Sequence, residues 1–356
     1  MISIQHLHSH QLSGICKDWK DAVKVLVEHV ATKKLYSYTQ KYTDGTSQTF
    51  SYDTLKEKVY GSSELILESL VPNDSFYDVN LDVSLILLKE ELDYVFADIW
   101  TFVGKSLKEI RNEVERCKNN RKHTCLYQYV YDALKEPFEE LYKYMQTKMQ
   151  DTVFGSLNIR TCPYCNRQYT FTLKPNKKGD PNTSPEFDHF YPKSIYPTLA
   201  ISFYNLVPSC HCCNHGKGQK QLYVNPYDSG FKGAFCLKDK AGNRLNSNDI
   251  LTIRDEKDIH VDYQGSYEES EDVKTLGLDQ LYSMHSDYVQ EIIDKANGYK
   301  SASLQDLIDS FQGYYNTPQQ IYDFVWGKHL ELSEQEKRPL SKFTKDMLDL
   351  LGIRRG

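Results

Sequence analysis

Two cysteine pairs, and a few polar residues between and just after them, are the part of this sequence whose types and spacing could do chemistry. Cys162-Pro-Tyr-Cys165 and Cys210-His-Cys-Cys213 are each a Cys-x2-Cys knuckle, with 44 residues between them. Four thiolates at about 2.3 Å make a closed tetrahedral zinc site, and two knuckles join the ends of a long insertion without a large core. Such a site has no open position for substrate, so zinc here is scaffold and not Lewis acid. His211 or Cys212 could replace one sulfur of the second pair, but Cys210 with Cys213 keeps the spacing of the first. A redox disulfide is the other use of such a pair, and the strand-to-helix context of a redox motif is missing. Between the knuckles stands Asp188-His189, then Asn205; Asn214 follows the last cysteine directly, and Lys217 comes three residues later. Singly these are ordinary residues, since Asp-His pairs are common on surfaces and an Asn before a helix is commonly a cap.

In this order, Asp188-His-Phe-Tyr-Pro192, Asn205-Leu-Val-Pro and Cys210-His-Cys-Cys-Asn214-His-Gly-Lys217 resemble the motifs of the HNH, or ββα-metal, nucleases with a zinc-stapled finger. The resemblance covers roughly residues 158–228. It implies an endonuclease that hydrolyses nucleic-acid phosphodiester bonds, DNA being the expected substrate, with structural Zn²⁺ and catalytic Mg²⁺ or Mn²⁺. The residue types suit that chemistry on their own account. Hydrolysis needs a water deprotonated in line with the scissile bond and a cation against the charge on phosphate and leaving oxygen. His189 is the best base, because an imidazole titrates near pH ~6.5. Asp188 offers a hard oxygen to magnesium and Asn214 a second one from the start of the following helix. Lys217, one turn beyond Asn214, would contact a phosphate. From the resemblance alone, Asn205 would hold the loop and orient the histidine ring. His211 and His215 match no fixed position and are candidate phosphate contacts; Glu186 is a candidate extra carboxylate; Asp228 reads as a turn residue.

More loosely, Glu186-Phe-Asp-His-Phe-Tyr-Pro-Lys and Asn205-Leu-Val-Pro-Ser-Cys between helical flanks resemble the HNH subunit of Septu-type antiphage systems. That implies an effector nuclease gated by a partner ATPase in trans, and the chain has no Gly-x4-Gly-Lys-Ser/Thr of its own. The alternatives are a stand-alone restriction-type nuclease, or a zinc-finger module that binds nucleic acid or protein without cutting. The second explains the cysteines but not the spacing of Asp188, His189, Asn205 and Asn214.

The elements that must position these residues are read from pattern and composition. With 356 residues, 40% hydrophobic and 27 Tyr, the chain is globular and long enough for more than one domain. Nine cysteines, an odd number, argue against a secreted disulfide framework. No apolar run reaches the ~20 residues of a membrane span, and the start lacks a basic then apolar leader, so a cytoplasmic location without membrane contact is expected. Net charge is −6, yet from Arg160 to Gln221 eight basic residues face three acidic ones, leaving +5 there and −11 elsewhere. A solvated loop, Lys174-Pro-Asn-Lys-Lys-Gly, explains three of those charges; an anionic ligand for the middle alone is the other explanation. The acidic flanks would then dock a partner, with Trp100, Tyr282, Tyr314, Tyr315 and Trp326 as anchors wherever core packing does not claim them.

The expected class is α+β, a small zinc-stapled ββα-metal module at residues 156–232 between mostly helical regions at 1–155 and 233–356. Trp19, Val23, Leu26, Val27 and Val30 share a helical face, and Leu85 through Trp100 is dense enough for a buried helix. Pro137 suits the first turn of another. Gln168–Leu173 alternates as a short strand and Glu186–Tyr191 as a second. Asp255 to Asp272 contains a hairpin pattern; Leu278 to Ile293 marks one helix, and Phe343, Met347, Leu350 and Leu351 the last. His6, His8 and His10, spaced by two, read as one side of a strand or a loose terminus in preference to a metal site.

Overall fold

The computed structural model describes residues 1–4, 12–21, 23–24, 36–70, 80–173, 185–299, 306, 309–311, 313–315 and 317–353. The histidines at 6, 8 and 10, the apolar positions Leu26, Val27 and Val30, and the loop from Lys174 fall outside them. The described residues are mixed α and β, mostly helical, with three two-stranded sheets. None of their helices is long and apolar enough to cross a membrane. The chain forms two compact units. One contains His10–Leu157 and Phe187–Val207, the other Met1–Ser9, Asn158–Glu186 and Pro208–Gly356.

In the first, helical unit the described residues 12–21 and 23–24 are helical and bury Trp19 and Val23, as their spacing predicts, and a hairpin that helical patterning hides follows. Strands β1 (Ser37–Lys41) and β2 (Ser47–Ser51) pair antiparallel with Tyr38 opposite Phe50. The turn is Asp44-Gly45, where Gly45 has φ 84° and Asp44 accepts from the Thr46 amide at 2.8 Å. An Asp-Gly pair between β-prone runs was the available signal. Helices α1 (Leu55–Leu70), α2 (Leu81–Ala97), α3 (Ile99–Val103), α4 (Leu107–His123) and α5 (Leu126–Leu157) follow. Asn80 caps α2, and a Ser106/Glu109 capping box starts α4, which ends on Arg121, Lys122 and His123 as the helix dipole favours. The helix expected to be buried through Trp100 ends at Ala97 and buries one face only: Leu88, Leu92 and Val95 are inside, while Ile86 and Tyr94 are exposed. Arg116 of α4 joins it from the side, donating to Glu91 at 2.8 Å.

Pro137 does not begin a helix. It lies inside α5, a helix of 32 residues. The lost amide bond is offset by the face it accompanies, on which Leu134, Phe138, Leu141 and Tyr142 are all buried. Strands β3 (Glu186–His189) and β4 (Leu206–Ser209) form a two-stranded sheet, and the unit boundary falls within each. The segment between them, two 3₁₀ turns at Pro197–Ile201 and Phe203–Asn205, locks onto the helices. Trp19, 1% exposed, donates its indole N–H to the Ile201 carbonyl at 3.3 Å and meets Phe187 edge-on; Ser202 donates to the Phe102 carbonyl at 3.0 Å.

The second unit contains the four knuckle cysteines and helix α6 (His211–Lys217). Strand β5 (Ala234–Lys238) pairs antiparallel with β6 (His260–Gln264). The hairpin pattern after Asp255 is therefore one strand seeking a distant partner. Helices α7 (Ser247–Leu251), α8 (Tyr267–Thr275), α9 (Leu278–Ser283), α10 (Ser286–Gly298), α11 (Pro318–Trp326) and α12 (Ser341–Leu350) complete it. The single helix expected from Leu278 is broken at Met284–His285 into α9 and α10. Phe235, Tyr282 and Phe343 form the core, with the Tyr282 ring 4.3 Å from Phe235 and 4.6 Å from Phe343. Of the candidate anchors, Tyr282 and Trp326 are therefore core residues, while Tyr314 is 85% exposed.

That core grips the first knuckle. The Tyr282 hydroxyl donates to the Cys165 carbonyl, and Asn166, at φ 47° and 1% exposed, stitches the knuckle to the C-terminal segment. Its amide donates to Thr161 Oγ1 at 2.9 Å and to the Gln335 carbonyl at 3.0 Å, and its Oδ1 accepts from the Lys342 amide at 3.1 Å. Asn is among the few non-glycine residues that tolerate a left-handed backbone. Asn166→Ala is expected to destabilise the unit by about 1–3 kcal/mol for each buried group left unsatisfied, with about 1–2 kcal/mol of backbone strain added. Asn166→Gly should recover only the strain. Urea denaturation of the three proteins measures the difference.

Candidate functional site: a four-cysteine centre and the residues around it

The four cysteines lie together. Cys162, Cys165, Cys210 and Cys213 are between 0% and 6% exposed, and their sulfurs lie within 4.8 Å of one another. Cys165 and Cys210 Sγ are 3.9 Å apart, close to the roughly 3.8 Å edge of a tetrahedron with 2.3 Å arms and far beyond a disulfide bond. All four are free thiols. Burial pushes the Cys162 thiol well above its ordinary range, while bonds from the neighbouring thiols hold Cys165 well below it; a bound dication would hold all four as thiolates. The Arg167 amide, which donates to Cys165 Sγ at 3.4 Å, would stabilise that charge. The donor set fits zinc. Cys212 is exposed and stands outside the tetrad.

Cys210 is also the N-cap of α6 and Cys213 lies in its first turn, so whatever fixes the sulfurs fixes the helix. Asn214 follows, its Nδ2 donating to Glu186 Oε2 at 2.6 Å. A carboxylate partner determines which end of the amide faces it, so Oδ1 is the end turned away. Glu186 accepts at Oε1 from His211 Nδ1 at 2.8 Å, and the His211 and His215 rings are 4.0 Å apart. Burial raises the Glu186 pKa, but the bonds from Asn214 and His211 outweigh it and hold the group below its ordinary value, an anion at neutral pH. Lys217 is 1% exposed on α6, unlike the open ammonium that a phosphate contact calls for; Lys220 is exposed.

Asp188, His189 and Asn205 lie in the helical unit. His189 is 8% exposed, with Nε2 3.0 Å from the Ala200 carbonyl and its ring edge-on to Tyr142 at 4.5 Å. A carbonyl only accepts, so Nε2 bears the proton and the lone pair of a neutral ring is at Nδ1. Asn205 is fully buried. Its Oδ1 accepts from the Tyr191 amide at 2.8 Å, and its Nδ2 donates to Tyr191 O at 3.1 Å and Leu199 O at 3.0 Å. It thus clamps the segment that presents the Ala200 carbonyl. Asp188 is 2% exposed on β3. Asn166 and Tyr142 were missed in the sequence: Asn166 resembles any turn residue, and Tyr142 lies on a helix face indistinguishable from core. The strand expected at Gln168–Leu173 alternates correctly, with Tyr169, Phe171 and Leu173 exposed and Thr170 buried, but forms isolated bridges, at Tyr169 to Thr161 and at Leu173, in place of a continuous ladder among the described residues.

No family model matches the chain, and no solved structure matches it. An alignment 77 residues long, which covers 19% of this chain, is 44% identical to the Septu protein PtuB of Bacillus thuringiensis. The match spans 30% of that protein's own length. Over that stretch, the chain is similar to a Septu protein.

Proposed function

We propose that the chain is a metal-dependent HNH endonuclease that hydrolyses nucleic-acid phosphodiester bonds, with DNA as its substrate, and is the effector of an antiphage defence system. The observation that carries this reading is the seat of His189, a ring whose tautomer is fixed by the Ala200 carbonyl while Asn205 clamps the adjoining backbone. That is how a general base is held with its lone pair at one nitrogen. His189 Nδ1 takes a proton from water, the water oxygen bonds to phosphorus, and the bond from phosphorus to the 3′ oxygen breaks. By the sequence resemblance, Asp188 and Asn214 would be the ligands of Mg²⁺ or Mn²⁺, which when bound neutralises charge on the phosphate and the leaving oxygen. The bond from Asn214 Nδ2 to Glu186 orients that amide. The cysteine centre holds structural zinc and takes no part in the chemistry.

The similarity to a Septu protein supports the defence role and, with the sequence resemblance, a partner ATPase in trans. The acidic flanks agree, because they repel duplex phosphate and leave few contacts for holding it unaided.

Supercoiled plasmid incubated with purified chain, alone and with its co-purified partner, is expected to be nicked or linearised with Mg²⁺ or Mn²⁺. EDTA added before the substrate should leave it intact. Retained binding without cutting under every metal and partner condition would favour the zinc-finger binding module instead.

A further inference from the structure

Glu186, His211 and His215 are not needed as ligands by the reading above, yet they come together on the four-cysteine unit. Their ligand atoms lie within 4.8 Å of one another. His211 and His215 are one turn apart on α6 and share a face. The 2.8 Å between Glu186 Oε1 and His211 Nδ1 is close to the roughly 3.0 Å that separates neighbouring ligands of an ion with 2.1 Å bonds.

We propose that Glu186, His211 and His215 form a second metal site, for a first-row divalent transition ion. Two features prepare it. Both imidazoles are carried by a helix whose cap and first turn are the buried cysteines Cys210 and Cys213, so their backbone positions are fixed by the tetrad. The Asn214 amide holds Oε2 of Glu186, leaving Oε1 directed at His211, the outer-shell support that metal-binding carboxylates use. The side chains of His211 and Glu186 are 67% and 38% exposed, so the ion enters from solvent and water completes its coordination. Two imidazoles and one carboxylate select Mn²⁺, Co²⁺, Ni²⁺ or Zn²⁺ over Mg²⁺ or Ca²⁺, which want oxygen alone. This assignment is independent of nuclease activity.

Cobalt distinguishes the two sites, since ions bound by thiolates give sulfur-to-metal charge-transfer bands and ions bound by imidazole and carboxylate do not. Stripped full-length chain titrated anaerobically with Co²⁺ is expected to bind one equivalent with those bands, and His211→Ala/His215→Ala should keep that equivalent and bind one fewer of those without them. Direct metal analysis after equilibration with Mn²⁺ should follow the same pattern on zinc-loaded protein, the double variant holding one Mn²⁺ fewer than the wild type whatever ion the Asp188 and Asn214 pair takes. A double variant that binds as many equivalents as the wild type would reduce the cluster to an ion pair and overturn the assignment.

Discussion

His189→Ala is expected to lower phosphodiester cleavage by about 10²–10⁴-fold, the usual worth of a positioned general base. The ring is buried against Tyr142 and bonded to the Ala200 carbonyl, so it contributes to packing as well. Alanine therefore leaves a small void and an unpaired carbonyl, and the loss of activity must be separated from loss of fold. His189→Gln serves that purpose. Its amide can still donate to Ala200 O, but it has no basic nitrogen at neutral pH. Both variants should lose cleavage while zinc content is unchanged, and the glutamine variant should unfold nearer the wild-type midpoint. Full activity in a pure glutamine variant would end the proposed role.

The second large effect concerns the tetrad. Structural zinc contributes about 10–16 kcal/mol of apparent binding energy, comparable to the whole stability of an ordinary domain. Cys162→Ser or Cys213→Ser should abolish stoichiometric zinc at that centre and open the four-cysteine unit to protease. Because Tyr282 and Asn166 tie the first knuckle to the segment ending in α12, cleavage should reach the C-terminal helices and not stop at the finger. Metal affinity should also fall as pH is lowered, since protons compete for the sulfurs. Limited proteolysis with zinc analysis by mass spectrometry measures both. Unchanged zinc in either variant would mean that the four sulfurs are not the ligands.

How much of this was legible beforehand depends on range. The tetrad was readable because a metal needs given residue types at close spacing, and Cys-x2-Cys writes that into the chain. The existence of α12 and the split between strand and helix near Asp188 and Asn214 followed from local periodicity. What escaped was set by distant partners. β6 looked like half of a hairpin because its alternation is local while its partner β5 is not. Pro137 looked like a helix start because nothing nearby reveals that Phe138, Leu141 and Tyr142 would be buried on the same helix as Leu134. Glu186 was legible only as a spare carboxylate; its bonds to His211 and Asn214 join residues 25 and 28 positions apart.

The bond from Trp19 to Ile201 spans 182 residues. A ribosome making about 5–20 residues per second needs roughly 10–35 s to cover that distance. Through that interval the first helices are out while the segment that covers Trp19 has not been made. The nascent helical unit thus carries an open apolar seam that residues 187–207 will later close, so its final assembly waits on that segment even if every helix has already formed. The seam is where a chaperone would hold the growing chain, and where a ribosome stalled before residue 187 would leave a protein marked for degradation.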